Sequence, residues 1–483
     1  MRVTNRSVLW CVGLVVIVVG CGARTDLLLA EEGDAEAGTG GTAGGPTGGS
    51  GGVTDGGVAG SGGTAGSGGS AGSGGAAGMG GTAGTGGFAG AAGAGGTTPF
   101  SSCVGFLERE TRTFQGSPDH QENTPWLVRT ASGTATLAFR WDPYASAIDW
   151  PKLGHVSFDA WGPWDGSPLG PGSLGAAFAG ERFVLGPDRD EGFAFLVSTL
   201  NAASPQPGTY LGHGHPTATS TETELYQDDP SHPLAVSYAQ GSLLLVYANG
   251  QTGFEYLTIV GQQNSASVWM PTLGCATEPL QADAIPFDNG FLVALTTSRD
   301  FGTCGNDDGF DGPPTRIHLV KVRVKGKADY ELMEELPVGQ SVRNLRLVGR
   351  GHDAAWLVFQ TDGGAIEAVR LNQDGGLYSK WNAIVSENYW MDRPAVAQLG
   401  DYVATAVIDA FDPSVSKILV QLHLEESMQP ALSHMLEPPY DQWPSGPLAL
   451  LGAPDGRSLL LAWTGWSDSG ASRAYVKRLD CVE

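Results

Sequence analysis

Three short stretches carry the residue types best suited to chemistry. In His213-Gly214-His215 an extended backbone would put both imidazoles on one face, because alternate side chains of a strand share a side. Asp228 and Asp229 follow in the chain, but metal sites use about three or four ligands and this spacing supplies only the two histidines. The stretch therefore reads as a polar loop. Asn306-Asp307-Asp308-Gly309-Phe310-Asp311-Gly312 concentrates oxygen donors and glycines, as a calcium loop must: the cation takes about six to eight oxygens on a backbone that turns sharply. Asn306, Asp308 and Asp311 are the expected ligands if Ca2+ binds. Phe310 stands at a ligand place and no glutamate closes the loop, so a solvated acidic turn is the alternative. In Trp161-Gly162-Pro163-Trp164-Asp165-Gly166 two indoles flank a turn beside a carboxylate. Rings of this kind stack on the apolar face of a sugar while a carboxylate accepts its hydroxyl protons. Trp161, Trp164 and Asp165 are thus expected glycan contacts, with packing between sheets as the alternative.

No catalytic residue is singled out. His-Glu-x-x-His and P-loop fingerprints are missing from the chain, and carboxylates are too numerous for spacing to pick a glycosidase pair. The 483 residues carry 51 Asp and Glu against 27 Lys and Arg, a formal net charge of −24. Phosphate binding depends on clustered Lys and Arg, so the balance argues against nucleic acid and anionic headgroups as partners. Six cysteines occur, Cys11, Cys21, Cys103, Cys275, Cys304 and Cys481. None is in a Cys-x-x-Cys pair, which disfavours zinc. In an oxidising compartment the last four would pair, and the expected bonds are Cys103 with Cys481 and Cys275 with Cys304.

The elements that must position these groups are legible as a repeat. A short apolar run meets a turn containing glycine, and a stronger apolar run follows. The turn glycines are Gly133, Gly192, Gly241, Gly290, Gly351, Gly400 and Gly456, spaced 49 to 61 residues apart. The pattern is clear in Leu234-Ala235-Val236 before Gly241 and Leu243-Leu244-Leu245-Val246-Tyr247 after it, and in Leu448-Ala449-Leu450-Leu451 before Gly456 and Leu459-Leu460-Leu461-Ala462-Trp463 after it. Such runs are too short for helices and read as β-hairpins, each followed by a further turn and strand. The second run is almost wholly apolar, as a strand buried on both faces must be. Seven sheets of about four strands arranged radially would form a β-propeller, which solves the exposed-edge problem by closure. The expectation for 99–483 is therefore an all-β propeller of about seven blades, with paired β-sandwiches as the alternative. Ser298-Arg299-Asp300-Phe301-Gly302 resembles the first half of the Asp-box of sialidase-like propellers. It departs from that motif at Cys304 and Gly305 and occurs once.

Two segments precede this domain. Arg2 and Arg6 lead into an apolar run from Ser7 to Val19, shorter than the roughly 20 residues that span a bilayer and suited to a secretory signal. It ends in Val18-Val19-Gly20-Cys21, which resembles the bacterial lipobox. That resemblance implies a signal peptide over 1–20 and a lipid-modified Cys21 as the new N-terminus. Gly22, where an aspartate would favour the inner membrane, points to the outer membrane. The start Cys21-Gly22-Ala23-Arg24-Thr25-Asp26-Leu27 is similar to that of predicted myxobacterial lipoproteins. Residues 33–98 hold 31 glycines in 66 positions and cannot bury enough apolar surface to offset ordering entropy. Residues 21–98 are thus expected to form a disordered tether, whose Gly-rich part would span roughly 45 Å as a flexible coil. Collagen is excluded because the glycines lack a three-residue period.

Together these readings imply a cell-envelope lipoprotein, lipid-anchored in the outer membrane, that presents a noncatalytic propeller to a protein or glycan. The alternative is a secreted polysaccharide hydrolase or lyase with carboxylates in the central channel. A channel mouth lined by two or more carboxylates with a histidine or arginine would favour the enzyme, and a plugged channel would favour binding.

Overall fold

The computed structural model describes residues 102–114, 120–130, 133–143, 152–169, 173–177, 183–188, 192–199, 208–214, 222–227, 231–239, 241–249, 255–261, 265–270, 281–297, 315–324, 329–349, 355–362, 364–372, 374, 382–385, 394–409, 416–424, 429–439, 442–444, 446–466 and 472–483. The chain divides into two units, Met1–Met79 and Gly80–Glu483, and every described residue belongs to the second.

Each apolar run of the repeat forms a strand. After β1 (Gly105–Glu108) and β2 (Arg112–Thr113), the first sheet comprises β3 (His120–Arg129), β4 (Ala135–Pro143), β5 (Lys152–Phe158) and β6 (Ser173–Ala177). The second contains β7 (Phe183–Pro187), β8 (Phe193–Thr199), β9 (Gly208–Gly214) and β10 (Glu222–Gln227). The third is built from β11 (Ser231–Ala239), β12 (Ser242–Asn249), β13 (Glu255–Gly261) and β14 (Ser265–Met270). In the fourth are β15 (Ala282–Phe287), β16 (Gly290–Thr297), β17 (Arg316–Arg323) and β18 (Asp329–Pro337). The fifth holds β19 (Val342–Gly349), β20 (Ala355–Thr361), β21 (Ile366–Leu371) and β22 (Asn382–Val385). The sixth has β23 (Ala395–Leu399), β24 (Tyr402–Asp409), β25 (Lys417–Leu424) and β26 (Pro430–Leu436). The seventh takes β27 (Ala449–Gly452), β28 (Ser458–Trp466) and β29 (Ser472–Val482), with β1 as its fourth strand and β2 also pairing with β29.

All pairings within these sheets are antiparallel between chain neighbours, apart from those of β1 and β2 with β29. The first strand of every sheet lies against the first strands of its two neighbours, β3 by β7, β7 by β11, and so on to β27, which returns to β3. Sheets that converge on one another along their first strands and close into a ring are the blades of a β-propeller, here with seven blades among the described residues. Paired sandwiches would bury two large faces. This chain instead fills seven gaps, one between each pair of neighbouring blades, each with its own apolar cluster.

That arrangement explains the strength of the second run. In β24, Tyr402, Ala404, Ala406 and Ile408 enter the gap towards the seventh blade, while Val403 and Val407 enter the gap towards the fifth. Both faces of the strand meet another sheet, so every position is apolar or small and the usual alternation disappears. The strand nearest the axis, however, is the first run of each repeat. Its weaker apolarity follows, since one edge faces the channel rather than another strand. Close convergence there demands small residues: a Cβ on Gly186 of β7 would lie 2.3 Å from the Val236 carbonyl oxygen of β11, and one on Gly452 of β27 would lie 1.8 Å from that of Gln398 in β23.

The ring closes where the chain begins and ends. β1 pairs with β29 from Gly105 opposite Val482 to Glu108 opposite Leu479. Cys103 and Cys481 form a disulfide with Cα atoms 5.3 Å apart, across 378 residues of chain, as the sequence led us to expect. Cys275 and Cys304 lie outside the described residues.

Candidate functional site

Two equivalent backbone irregularities build the axial cluster. The β3 to β4 pairing shifts register between Asn123 and Trp126, and the β19 to β20 pairing shifts between Arg343 and Arg346. Within each bulge one residue adopts a left-handed conformation, Thr124 at φ 51° and Asn344 at φ 54°, two positions before Trp126 and Arg346. A bulge re-aims the side chain that follows it. These two deliver an indole from the first blade and a guanidinium from the fifth, with the Arg346 Cζ 5.6 Å from the Trp126 ring centroid. The two blades are not neighbours in the ring, so this contact crosses the axis. Trp126 also lies 6.2 Å from the Phe183 ring of the second blade and packs on the cluster of Val184 and Val236 shared by the second and third. A cation seated on an indole within about 6 Å is attracted by the ring quadrupole.

Asp283 of β15 completes the cluster. Its Oδ2 accepts a hydrogen bond from the Leu347 amide at 2.7 Å and its Oδ1 accepts one from its neighbour Ala284 at 3.0 Å. Two residues earlier, the Gln281 Oε1 accepts from the Leu345 amide at 3.1 Å. Side chains of the fourth blade thereby satisfy amides of the free edge of β19, which has no strand on its axial side. Burial pushes the Asp283 carboxyl up, opposed by the nearby Arg346 charge and the two amides. The other carboxylate described on a first strand, Glu122 of β3, turns to the seventh blade: its Oε2 accepts from the Ala474 amide at 2.7 Å and its Oε1 from Arg473 at 3.3 Å. Glu122 is fully buried, and desolvation raises it from 4.5 to about 7 against those donors.

The tryptophan turn lies elsewhere. Trp161 and Trp164 are half-buried and pack on the gap between the first and seventh blades. The Trp164 Nε1 donates to the Glu110 carbonyl at 2.7 Å, and Arg112 sits 5.0 Å above its ring. Asp165 is exposed, and its Oδ1 accepts from both the amide and the hydroxyl of Ser167, which closes a small turn. The structure therefore brings Trp164 and Asp165 into a strap that binds the N-terminal segment. Arg478 fastens its other end by donating to the carbonyls of Ala160 at 3.2 Å and Gly162 at 2.8 Å.

His213 stands on β9, where its Nδ1 meets the Asp188 Oδ2 at 2.5 Å. Asp188 is 7% exposed, so a buried carboxylate orients a partly exposed imidazole. β9 is the third strand of its sheet, whereas Asp188 directly follows β7, the first. His215, the expected calcium ligands Asn306, Asp308 and Asp311, the Asp-box-like stretch and Cys21 all lie outside the described residues. Among the described residues no group of three or more His, Cys, Asp or Glu could hold a metal ion. The axial residues escaped the sequence reading because Trp126 and Arg346 sit inside apolar runs with no motif around them. Their one local signal is negative, in that Asn123-Thr124-Pro125 and Arg343-Asn344 interrupt the apolar pattern of their strands.

No family model matches the chain, and no curated protein matches it. Among solved structures it is similar to a protein of unknown function from Dyadobacter fermentans, at 12% identity over 78% of this chain and 100% of that one, with a TM-score of 0.44. It is similar to the WD40 domain of Toxoplasma gondii coronin, at 9% identity over 79% and 88%, with a TM-score of 0.45. A subtype N11 neuraminidase-like protein of A/flat-faced bat/Peru is matched at 9% identity over 79% and 95%, with a TM-score of 0.41. At these identities the likeness is one of fold alone, and the assignment to the β-propellers rests on the ring of seven blades described above.

Proposed function

We propose that this protein is an outer-membrane lipoprotein, anchored through Cys21, whose propeller binds an extracytoplasmic protein or glycan without catalysis. The observation that carries the binding reading is the contact of Trp126 with Arg346 across the axis. A polysaccharide hydrolase needs two carboxyl groups flanking the scissile bond, one to protonate and one to attack or activate water. Of the two carboxylates described on the first strands, Asp283 accepts two backbone amides and Glu122 is turned to Arg473 and Ala474. What faces the axis is a guanidinium on an aromatic ring, a surface suited to recognition. Among the described residues the His213 and Asp188 pair is the element best suited to acid and base chemistry, with His213 on the third strand β9 and Asp188 directly after the first strand β7. The anchor is supported by Val18-Val19-Gly20-Cys21 and by the glycine-rich stretch that would hold the domain clear of the lipid. Incubation of the purified full-length protein with a panel of polysaccharides should release no product, while glycan-array and pull-down screens should recover a saturable ligand. Turnover of any of these polysaccharides would replace the binding reading with the enzymatic one.

A further inference from the structure

We propose that Arg346 is the anchor of an axial subsite for a saccharide bearing a carboxylate, such as an oligomer of uronic acid. This rests on the binding reading above and names the class of ligand it serves.

Three observations converge on it. The first is electrostatic. In a chain of net charge −24, the first strands of the blades reverse the balance: β3 and β19 together bring Arg129, Arg343 and Arg346, against Glu122 and Asp283 as the acids described on the seven first strands. Glu122 is matched by Arg473 and the exposed Arg343 by Asp362, which leaves Arg129 and Arg346 against Asp283 as the charges of the first strands. In a low-dielectric setting that remaining excess acts on an approaching ligand more strongly than in water.

The second is the state of the guanidinium. Arg346 is half-buried, so part of it stays open to a ligand. Asp283 influences it through space, and each Asp283 oxygen accepts a backbone amide. Among the described residues no hydrogen bond or ion pair occupies the Arg346 guanidinium, so its planar N–H fork can match a carboxylate in two parallel hydrogen bonds. Its position is set from behind by the bulge at Asn344 and from one face by the Trp126 ring, which limits the rotamer entropy lost when it engages a ligand.

The third is the apolar complement. Trp126 and Phe183 are half-buried aromatic residues from two blades beside that charge. Arg346 covers part of the Trp126 ring, so the apolar surface for the C–H side of a sugar is the half-exposed remainder of Trp126 and Phe183 beside a guanidinium for its carboxylate, a pairing that separates acidic from neutral saccharides.

The test is titration calorimetry of the full-length protein in detergent, with oligogalacturonate and a neutral galactan oligomer of equal length as probes. Oligogalacturonate should bind at least tenfold more tightly, and its affinity should fall as salt rises from 50 to 500 mM. Arg346→Gln should weaken that binding tenfold or more. Arg346→Lys, which keeps the charge without the fork, should fall between, and Arg343→Gln, an exposed arginine paired with Asp362, should stay within twofold of the parent. Thermal melts of all three variants identify any loss that reflects unfolding, and the lysine variant keeps the test informative if the glutamine variant unfolds. Equal affinity for the acidic and neutral probes, or an Arg346→Gln variant that folds and binds undiminished, overturns the subsite while leaving a binding propeller intact. The absence of binding to oligogalacturonate overturns it as well, and recovery of a protein partner by pull-down would then show that the broader reading survives. Cleavage of either oligomer by the parent protein would instead overturn the binding reading itself.

Discussion

Single residues hold the ring together through burial, and two of them do so with opposite pH dependence. Burial raises the Glu122 carboxyl from 4.5 to about 7, so its contribution is fully present below 4.5 and is lost as pH rises through about 7. Burial lowers His155 on β5 from 6.5 to about 4, so its contribution is present above 6.5 and is lost as pH falls through about 4. Each shift corresponds to about 3 kcal/mol, and the two largely cancel between pH 4 and 7. In urea unfolding across that range, Glu122→Gln should expose the acid loss due to His155, and His155→Phe should expose the loss towards neutral pH due to Glu122. Parallel pH profiles for the parent and both variants would show that neither group is coupled to folding. A second residue-scale expectation concerns Gly452, where a Cβ would lie 1.8 Å from the Gln398 carbonyl oxygen. Gly452→Ala should cost about 1–3 kcal/mol as overpacking, seen as a lower urea midpoint with unchanged slope.

At the scale of elements, the N-terminal segment is the part most in need of fastening, because β1 is the outer strand of the closing blade. It is held at nearly every step. The disulfide fixes Cys103, Lys477 pairs with Glu108 at 2.6 Å, Arg109 donates to Asp480 at 2.6 Å, Trp164 reaches the Glu110 carbonyl, and Arg112 donates to the Ser167 carbonyl at 2.7 Å. Phe114 then enters the gap between the first and seventh blades. Removing the cross-link in a Cys103→Ser, Cys481→Ser variant should cost about 2–5 kcal/mol, and hydrogen exchange should rise first in β1 and the adjoining edge of β29. Uniform loosening of all seven blades would show that the bond does not act locally. Trp164→Phe keeps most of the ring but removes the donor to Glu110. A loss of about 0.5–1.5 kcal/mol is expected, with faster exchange at residues 109–114.

For the whole molecule, two measurements bear on the proposed anchor at Cys21 and the proposed tether. Mass spectrometry of membrane-extracted protein should find Cys21 as a lipid-modified N-terminus. An unmodified mature terminus elsewhere would remove the lipoprotein proposal. Brief digestion with a protease of broad specificity should remove residues 33–98 first and leave a core beginning near residue 99, whereas protection of that stretch would contradict the entropy argument for a tether.

The sequence by itself determined the repeat. Each blade is announced by an apolar run, a glycine turn and a stronger apolar run, because a strand buried on both faces must be apolar at every position, and this burial is dictated locally. It also led to the expectation of a Cys103 to Cys481 bond, since a ring brings its chain ends together, and the structure contains that bond. What only the tertiary structure decided is which residues share the axis. Trp126 and Arg346 are 220 residues apart in the numbering, and their meeting depends on the radial placement of two blades and on a bulge in each, neither of which leaves a periodic trace. The tryptophan turn makes the same point from the other side. Its composition suits a sugar, but its surroundings come from the N-terminal segment and β29, and hydrogen bonds to Glu110 and from Arg478 make it a strap. Local burial patterns are written along the chain, whereas a constellation drawn from distant blades exists only once the ring has closed.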